Sequence, residues 1–302
     1  MIRFDNVVKS FRRQNVLDGL TLSIGDGDRV ALIGSNGAGK TTLIRCLLGE
    51  YNYDGEIRMN GLSPRQDRKA ILKDIGFVPQ LPPPLRMPVG ELIHFAAAIT
   101  EAKQDGIVAL ASRLGLDTAE VWSKPFVKLS GGQKQKLLVA VALGRTTRLL
   151  ILDEPTANLD PASRKVMFEA LAARQGTPMI ISSHRLEEVS GLVNRVIELD
   201  RGRVVLDDRV ADAGDLDARQ SCRITLTRPE PAFAKAIAEW EFRTTDNGLV
   251  WQGEVAGPDR LRFLGVLSRY AGLLAGVQLE SASGSGTRKL GSQRTGEVRH
   301  AG

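Results

Sequence analysis

Stretches with strand-like and helix-like hydrophobic patterns succeed one another along the chain and predict an α/β fold. Residues 2–8 and 16–24 alternate between apolar and polar positions, which is typical of strands with one buried face. The apolar runs 29–33 and 149–152, and the mainly apolar stretch 178–184, have the length of strands that are buried on both faces. We therefore expect a β-rich arm at the start of the chain and a core built on a parallel sheet.

Apolar residues at helical spacing predict the helices between these strands. This spacing appears at 41–48, through most of 90–116 and again at 134–143. A further helix is expected to begin at Pro161, because proline is favourable at the first helical position. The stretch 90–116 is therefore expected to be a mostly helical insert.

A second domain is predicted after residue 207. Its expected elements are a strand at 223–227, a helix at 231–240, a hairpin of 241–245 and 249–255 around Asp246-Asn247-Gly248, a helix at 259–274 and a strand at 276–280. This β-α-β-β-α-β order suggests a small α+β domain with a ferredoxin-like fold, from which no function follows. The predicted domains are 1–207 and 208–280, and the Ser-, Gly- and Arg-rich residues 281–302 are expected to be a disordered tail.

A glycine-rich motif between a predicted strand and a predicted helix points to phosphate binding. Residues 34–42 read Gly-Ser-Asn-Gly-Ala-Gly-Lys-Thr-Thr and fit G-x-x-x-x-G-K-[ST]. Glycines let successive backbone N–H groups point at phosphate oxygens, and the helix N-terminus adds to the attraction. Lys40 is expected to reach the β- and γ-phosphates, Thr41 to offer its hydroxyl to Mg²⁺, and Thr42 to touch an inner phosphate. The alternative is a chance glycine-rich turn.

Polar residues at the ends of predicted strands are candidates for the chemistry. Asp153 and Glu154 follow the run 149–152, where Asp153 would hold Mg²⁺ and Glu154 would orient or deprotonate a water; the alternative is an acidic turn. Gln80 ends a short strand, and its amide can interact with Mg²⁺ and a water. His184 is either a γ-phosphate ligand or a structural residue.

Three other features suggest contacts with a ligand or a partner. Residues 129–133, Leu-Ser-Gly-Gly-Gln, open a helix and form a second anion site, which makes sense if it serves a nucleotide on another copy of the protein. The ring of Phe11, between two predicted strands, is suited to stacking on a purine or to packing in the core. The proline-rich loop 81–88 is either a docking surface or a stiff linker.

Composition narrows the class of protein. The chain has 302 residues, a formal net charge of +6, 42% hydrophobic and 25% charged residues, all ordinary for a globular protein. No apolar run approaches the roughly 18 residues of a membrane span, and no signal peptide precedes the first strand, so we expect a cytoplasmic protein. Cys46 and Cys222 form no metal-binding or disulfide spacing. No basic stretch is interleaved with aromatic residues, so nucleic acid is not an expected partner.

Together these motifs resemble the nucleotide-binding domain of ATP-binding cassette (ABC) proteins over about residues 2–207. Five motifs occur in the family's order, and single cassettes with a small C-terminal domain are similar to the ATPases of ABC-2 type exporters. The resemblance implies a P-loop NTPase with a RecA-like core, a β-rich arm and a helical subdomain, which would span about residues 82–148. It also implies that two domains pair head to tail around two ATP molecules. Phe11 stands where tyrosine is common, and Lys134 and Lys136 stand where glutamine or arginine usually follow the signature.

The resemblance assigns roles residue by residue. It places Phe11, Gly34, Ser35, Asn36, Gly37, Ala38, Gly39, Lys40, Thr41, Thr42, Ser130, Gly131, Gly132, Gln133 and Asp160 at ATP. Of these, Ser130, Gly131, Gly132 and Gln133 would act across the dimer, and Asp160 would couple the two sites. It places Thr41, Gln80 and Asp153 at Mg²⁺, and Glu154, His184 and Gln80 at the hydrolysed bond.

Two functions fit these expectations. The first is the ATP-hydrolysing subunit of a transporter, which works as a homodimer on the cytoplasmic face of the membrane and drives a separate integral membrane permease. The alternative is a soluble, non-transport cassette ATPase, for example of the iron–sulfur cluster assembly type. Both need ATP and Mg²⁺.

Overall fold

The computed structural model describes residues 1–12, 14–100, 102–184, 186–209, 219–256 and 260–281. The chain forms two compact units, Met1–Asp212 and Ala213–Gly302, which are described separately below. The predicted disordered tail lies, apart from its first residue, outside the described residues. The domain bounds at 207 and 280 remain predictions.

Strands and helices of the first unit alternate in the manner expected of an α/β core. In chain order they are β1 (Ile2–Phe11), β2 (Gln14–Ile24), β3 (Arg29–Ile33), α1 (Lys40–Leu47), β4 (Asp54–Met59), α2 (Arg68–Lys73), β5 (Ile75–Val78), α3 (Val89–Thr100), α4 (Gln104–Arg113), α5 (Thr118–Val121), α6 (Gly131–Leu143), β6 (Leu149–Asp153), α7 (Pro161–Ala172), β7 (Met179–Ser182), β8 (Arg195–Asp200) and β9 (Arg203–Arg209).

A six-stranded sheet with the order β5-β6-β7-β3-β8-β9 forms the centre of this unit. The first five strands are parallel, and β9 runs antiparallel to β8. All residues of β6 and β7 are buried, which is why these strands have few polar positions. Because β5, β6, β7 and β3 are parallel neighbours, their carboxyl ends lie along one edge of the sheet, where α/β proteins bind ligands.

The β-rich arm is a three-stranded antiparallel sheet with the order β2-β1-β4. Ile2 and Phe4 of β1 are buried, as their alternation predicts, and a register shift between Phe4 and Val7 brings Val7 into the core of the unit as well. The arm differs from the prediction at its first turn, since β1 continues to Phe11 and β2 begins at Gln14. Phe11 is therefore the last residue of a strand and not a loop residue.

Helices α3 to α6 lie between β5 and β6 in the chain, within the range where a helical subdomain is predicted. The apolar residues Ile93, Ile107 and Leu110 are buried, in agreement with the helical spacing of this region. Helix α6 begins at Gly131, earlier than the predicted Lys134, because a cap at Ser130 extends it. None of the helices in the described part of the chain has the length and apolar character of a membrane-spanning segment.

The turn between β8 and β9 joins the arm to the loop before α1. The N–H of Gly202 donates to the carbonyl oxygen of Ala38 at 3.0 Å, and the carbonyl of Gly202 accepts from the N–H of Asp18 at 3.1 Å. Gly202 has a φ of +76°, and a Cβ at this residue would lie 2.3 Å from the carbonyl oxygen of Val16. Glycine is required here by both conformation and space.

The second unit has a four-stranded antiparallel sheet. Its elements are β10 (Arg219–Leu226), α8 (Pro231–Ile237), β11 (Arg243–Thr245), β12 (Val250–Ala256), α9 (Arg260–Arg269) and β13 (Leu274–Ser281). The strand order is β11-β12-β10-β13, and Cys222, Ile224, Phe233 and Phe263 are buried in the core of the unit. The order of the elements is the one from which a ferredoxin-like domain is predicted, and that assignment stays a prediction.

Candidate nucleotide site

The loop between β3 and α1 needs glycine at both of its ends. Gly34 has a φ of +143° and Gly39 a φ of +111°. A Cβ at Gly34 would lie 2.3 Å from the carbonyl oxygen of Leu199, and one at Gly39 would lie 2.9 Å from that of Val16. The loop is therefore packed closely against β8 and β2. This packing fixes the backbone at the N-terminus of α1, where N–H groups attract anions.

The other predicted phosphate contacts surround this backbone. Ser35, Asn36 and Gly37 are exposed, whereas Ala38 is buried beneath them. Thr41 and Thr42 are half-buried in the first turn of α1. The loop is therefore open to solvent at Ser35 to Gly37 and is anchored to the rest of the unit at Ala38.

Lys40 is the first residue of α1 and is nearly buried. Its ammonium donates to the carbonyl oxygens of Gly34 at 2.6 Å and Ser35 at 3.3 Å. Burial lowers the pKa of Lys40, and the carboxylates of Glu154 and Asp153 oppose that shift. The lysine therefore points into the loop, within the electrostatic influence of both acidic residues.

Asp153 and Glu154 are linked by a buried serine at the end of β7. The hydroxyl of Ser182 donates to Oδ1 of Asp153 at 2.5 Å and accepts from the backbone N–H of Glu154 at 3.0 Å. The same N–H lies 3.2 Å from the carbonyl oxygen of Ser182. Ser182 therefore fixes the carboxylate of one acidic residue and the backbone of the other.

Glu154 has a left-handed backbone conformation, with a φ of +50°. This conformation is unfavourable for a non-glycine residue, and such residues are concentrated at functional sites. Its Oε2 lies 2.8 Å from Nδ1 of His184, which is 57% exposed while the glutamate side chain is only 11% exposed. The structure thus brings the predicted acidic residue and the predicted histidine into direct contact.

Gln80 and Phe11 lie farther along the chain from these groups. Gln80 is exposed just beyond β5, and Val78 of β5 pairs with Leu152 of β6, so Gln80 follows the same sheet edge as Asp153. Phe11 is exposed, and its ring makes an edge contact with Tyr51 at a centroid distance of 5.2 Å. Lys9 places its ammonium 4.7 Å from the centre of the same ring.

The Leu-Ser-Gly-Gly-Gln motif forms the N-terminus of α6. Ser130 is the N-cap residue, and its hydroxyl accepts from the N–H of Gln133 at 3.2 Å. The side chain of Gln133 in turn accepts from the N–H of Ser130 at 3.0 Å. Gly131 and Gly132 lie in the turn between them. Because Ser130 uses its oxygen as an acceptor, its hydroxyl proton remains available for an outside ligand.

Asp160 is the N-cap residue of α7. It accepts from the N–H of Ser163 at 2.8 Å and forms an ion pair with Lys136 at 2.9 Å. These hydrogen bonds, and the charge of Lys136, hold the pKa of the Asp160 carboxyl well below its usual range. The residue that is predicted to couple the two sites is therefore a fixed carboxylate within its own chain.

Sequence reasoning missed Ser182 and the contact of Lys136 with Asp160. Ser182 lies in the predicted strand 178–184, but its position in the sequence gives no indication that it faces the acidic residues. Lys136 attracts notice only as a departure from the residues that usually follow the signature.

These features define a P-loop nucleoside triphosphatase. They are a glycine-rich loop between a buried strand and a helix, a lysine in that helix, and two acidic residues at the end of another strand of the sheet. The sequence profile of the ABC transporter family matches residues 17–157. The methionine import ATP-binding protein of Rhizobium etli is 30% identical over 284 residues, which cover 86% of this chain and 75% of that protein. The chain belongs to the ATP-binding subunits of ABC transporters, which bind and hydrolyse ATP.

Other relatives and solved structures agree with this assignment. The Nod factor export ATP-binding protein I of Burkholderia thailandensis is 32% identical over 261 residues, which cover 82% of this chain and 83% of that protein. A solved structure of an ATP-binding subunit of an ABC transporter aligns with a TM-score of 0.64 and 25% identity, over 70% of this chain and 91% of that one. A solved dimeric structure of a bacterial ABC transporter cassette is 21% identical and aligns with a TM-score of 0.61, over 70% of this chain and 99% of that one. This likeness supports the fold. These matches confirm the predicted P-loop fold and favour a transporter subunit over a non-transport ATPase.

Proposed function

We propose that two copies of this protein close around two MgATP molecules and that the resulting movement drives an integral membrane permease at the cytoplasmic face of the membrane. The observation that carries the proposal is the arrangement at the sheet edge. Lys40 and the backbone of the 34–39 loop form an anion site, and the linked pair Asp153 and Glu154 supplies the acidic groups that hydrolysis requires.

ATP binding exchanges contacts that Lys40 already makes. Its ammonium donates to two carbonyl oxygens of its own loop, and phosphate oxygens are stronger acceptors for the same protons. The exposed residues Ser35 to Gly37 give the phosphates access to the loop backbone, and Thr42 contacts an inner phosphate. The exposed ring of Phe11 provides a surface on which adenine stacks.

The residues at the sheet edge fit Mg²⁺ by the chemistry of their donors. Thr41, Asp153 and Gln80 supply a hydroxyl, a carboxylate and an amide oxygen, and Mg²⁺ prefers such ligands together with phosphate oxygens and water. Within the described residues, no group of three or more His, Cys, Asp or Glu side chains could hold a metal by itself. This agrees with an ion that arrives with its nucleotide. When bound, Mg²⁺ would neutralise charge on the phosphates.

Glu154 is the residue that acts on the attacking water. Its carboxylate is mostly buried, and it is oriented by its contact with His184 and by the fixed backbone of the preceding strand end. His184 is exposed enough to contact a γ-phosphate as well as the glutamate. A ring nitrogen that contacts a phosphate oxygen does so as a hydrogen-bond donor.

The N-terminus of α6 supplies the second half of each site. Ser130 and the two following glycines present a hydroxyl proton and backbone N–H groups, which suit the γ-phosphate of an ATP held by the other copy. Because the 34–42 motif and the Leu-Ser-Gly-Gly-Gln motif are both complete in one chain, a symmetric homodimer has two equivalent ATP sites.

The permease contact is proposed on the apolar surface of the helical part. Leu81 is 73% exposed, Phe95 54% and Ile99 47%, and Phe95 and Ile99 are four residues apart on one face of α3. Adjacent exposed apolar side chains, such as those of Phe95 and Ile99, often mark a contact with another protein. Leu81 directly follows Gln80 in the chain, so a partner that contacts Leu81 would be next to a residue of the proposed Mg²⁺ site. Because the relatives serve both import and export, the proposal concerns the ATP-driven step they share.

The test is affinity purification of the Glu154→Gln protein from solubilised membranes in the presence of ATP and Mg²⁺. We expect a dimer with a co-purifying multi-span membrane protein, identified by mass spectrometry. The matched control is Glu154→Gln combined with Lys40→Ala, which should lose the dimer because it binds ATP poorly. A monomeric Glu154→Gln protein at micromolar concentration with saturating ATP would contradict the homodimer. Recovery of soluble partners alone would contradict the transporter function.

A further inference from the structure

The loop from Glu154 to Asp160 lies against α6 of the same chain. This 154–160 loop contacts the helix near its start, where the amide of Gln135 donates to the carbonyl oxygen of Pro155 at 3.1 Å. In the middle of the loop, Asn158 has a φ of +65°, and a Cβ at Gly132 would lie 3.1 Å from its carbonyl oxygen. The loop therefore follows the first turns of α6 closely.

The far end of the 154–160 loop is held by Lys136. Its ammonium is 2.9 Å from Oδ2 of Asp160, and its side chain is only 16% exposed. The same carboxylate lies 2.8 Å from the hydroxyl of Ser163, which is also 2.9 Å from the carbonyl oxygen of Leu114 just after α4. Asp160 is thus the point where α6, α7 and the end of α4 meet.

We propose that Lys136 is a positioning residue for ATP hydrolysis, which fixes the 154–160 loop to the helix that carries the signature motif. The inference rests on the proposed function. In that function, the N-terminus of α6 contacts ATP in one site, while Glu154 at the start of the loop acts in the other. Lys136 therefore links the signature contact at one ATP to the placement of Glu154 at the second ATP.

The physical basis is that Lys136 has little freedom to separate from Asp160. The Lys136 side chain is mostly buried, so separation from Asp160, whose side chain is 49% exposed, would remove the ion pair without restoring full hydration to the lysine, and a shift of α6 therefore favours a matching shift of the carboxylate. Gln135 resists separation at the other end of the loop, because the buried carbonyl oxygen of Pro155 would lose its hydrogen-bond donor. The loop and the first turns of α6 consequently move as one body.

The experiment measures kcat and KM for ATP in the purified protein and in five variants. Lys136→Met removes the charge and keeps the length of the side chain, and Lys136→Arg keeps the charge. Asp160→Asn keeps a capping residue for α7 but removes the ion pair, and it is tested alone and with Lys136→Met. Lys165→Met is the control, because it removes one positive charge from an exposed position of α7.

For Lys136→Met we expect a fall of about tenfold in kcat, a KM for ATP within about twofold, and a Tm within about 4 °C of the wild type. Lys136→Arg should restore most of kcat, and Lys165→Met should have no effect. The double variant should be no slower than Asp160→Asn alone, because both changes remove one contact.

The outcomes separate this inference from the proposed function. A wild-type protein that neither hydrolyses ATP nor dimerises with it would overturn both. An active wild type, together with Lys136→Met that behaves like Lys165→Met, would overturn the positioning role alone. A Lys136→Met protein that fails to fold, or additive losses in the double variant, would contradict it as well, since Lys136 would then be structural or independent of Asp160.

Discussion

The left-handed backbone of Glu154 leads to a prediction about stability that does not depend on activity. Two substitutions, Glu154→Ala and Glu154→Gly, both remove the carboxylate and its contact with His184. They differ in the backbone, since alanine must still adopt a φ near +50° whereas glycine does so without steric conflict but loses more conformational entropy on folding. The backbone strain at this position therefore follows from the comparison once the entropy difference is known from an unstrained site.

The expected difference follows from two opposing terms. A left-handed conformation costs an L-residue about 1–2 kcal/mol, while glycine loses about 0.5–1 kcal/mol more than alanine in backbone entropy on folding. The net effect should make Glu154→Gly about 1 kcal/mol more stable than Glu154→Ala. For a unit of this size the difference corresponds to about 2–4 °C in Tm.

The assay is urea unfolding of both variants without nucleotide, followed by tryptophan fluorescence and circular dichroism. The matched pair is Glu169→Ala and Glu169→Gly, at an exposed position of α7 with ordinary helical geometry. There the order must reverse, with glycine less stable by about 1 kcal/mol. If alanine is as stable as glycine at residue 154 while the Glu169 pair behaves normally, the strain does not exist and our reasoning is refuted.

Two further predictions concern buried groups. Ser182→Ala should lower the free energy of unfolding by about 2 kcal/mol, because Asp153 loses its hydrogen-bond donor. The same change should reduce kcat about tenfold and raise the Mg²⁺ concentration that the ATPase requires. A Mg²⁺ titration of the ATPase checks this, and unchanged activity would contradict the role of Ser182. Burial raises the pKa of Cys46 to about 11 and that of Cys222 to about 12, so neither thiol should react with iodoacetamide at pH 8 in the native protein, whereas both should react in urea. Mass spectrometry distinguishes the two states, and rapid native labelling would contradict the burial.

The parts of the site that could be predicted are those that depend on local chain geometry. The 34–42 motif requires glycine at fixed positions, and its steric reasons lie in contacts of the loop backbone with β2 and β8. Asp153 follows a strand that is buried on both faces, so its place at the sheet edge follows from the hydrophobic run alone. In both cases a short segment of sequence contains the information.

The contacts that could not be predicted join residues far apart in the chain. Ser182 reaches Asp153 only because β6 and β7 are parallel neighbours, and a single sequence gives no strand order. The positive φ of Glu154 also depends on a distant part of the chain, because its N–H donates to Ser182 of β7 and not to a residue nearby in the sequence. The start of α6 was predicted too late because two glycines and a serine lack a hydrophobic pattern, although the cap at Ser130 makes them helical.

In the second unit the order of the elements was easier to predict than their ends. Strand β10 begins at Arg219, ahead of the predicted 223, because Arg219 to Cys222 form main-chain pairs with β12, and from Gln220 onwards with β13, although Arg219, Gln220 and Ser221 have no apolar pattern. The predicted helix 231–240 is divided into α8 and a 3-10 turn at Ala238–Trp240. Pairing between strands supplies hydrogen bonds that no hydrophobic pattern records.

The close packing of Gly39 and Gly202 against Val16 has a consequence for how this sequence can diverge. In both cases the nearest group that excludes a side chain is the main-chain carbonyl oxygen of Val16, so the side chain of residue 16 has little effect on this contact. Substitutions of Val16 are therefore compatible with the contact, whereas substitutions of the two glycines are not. The shape of the phosphate loop is thus protected by a backbone group, which every residue type at position 16 would supply.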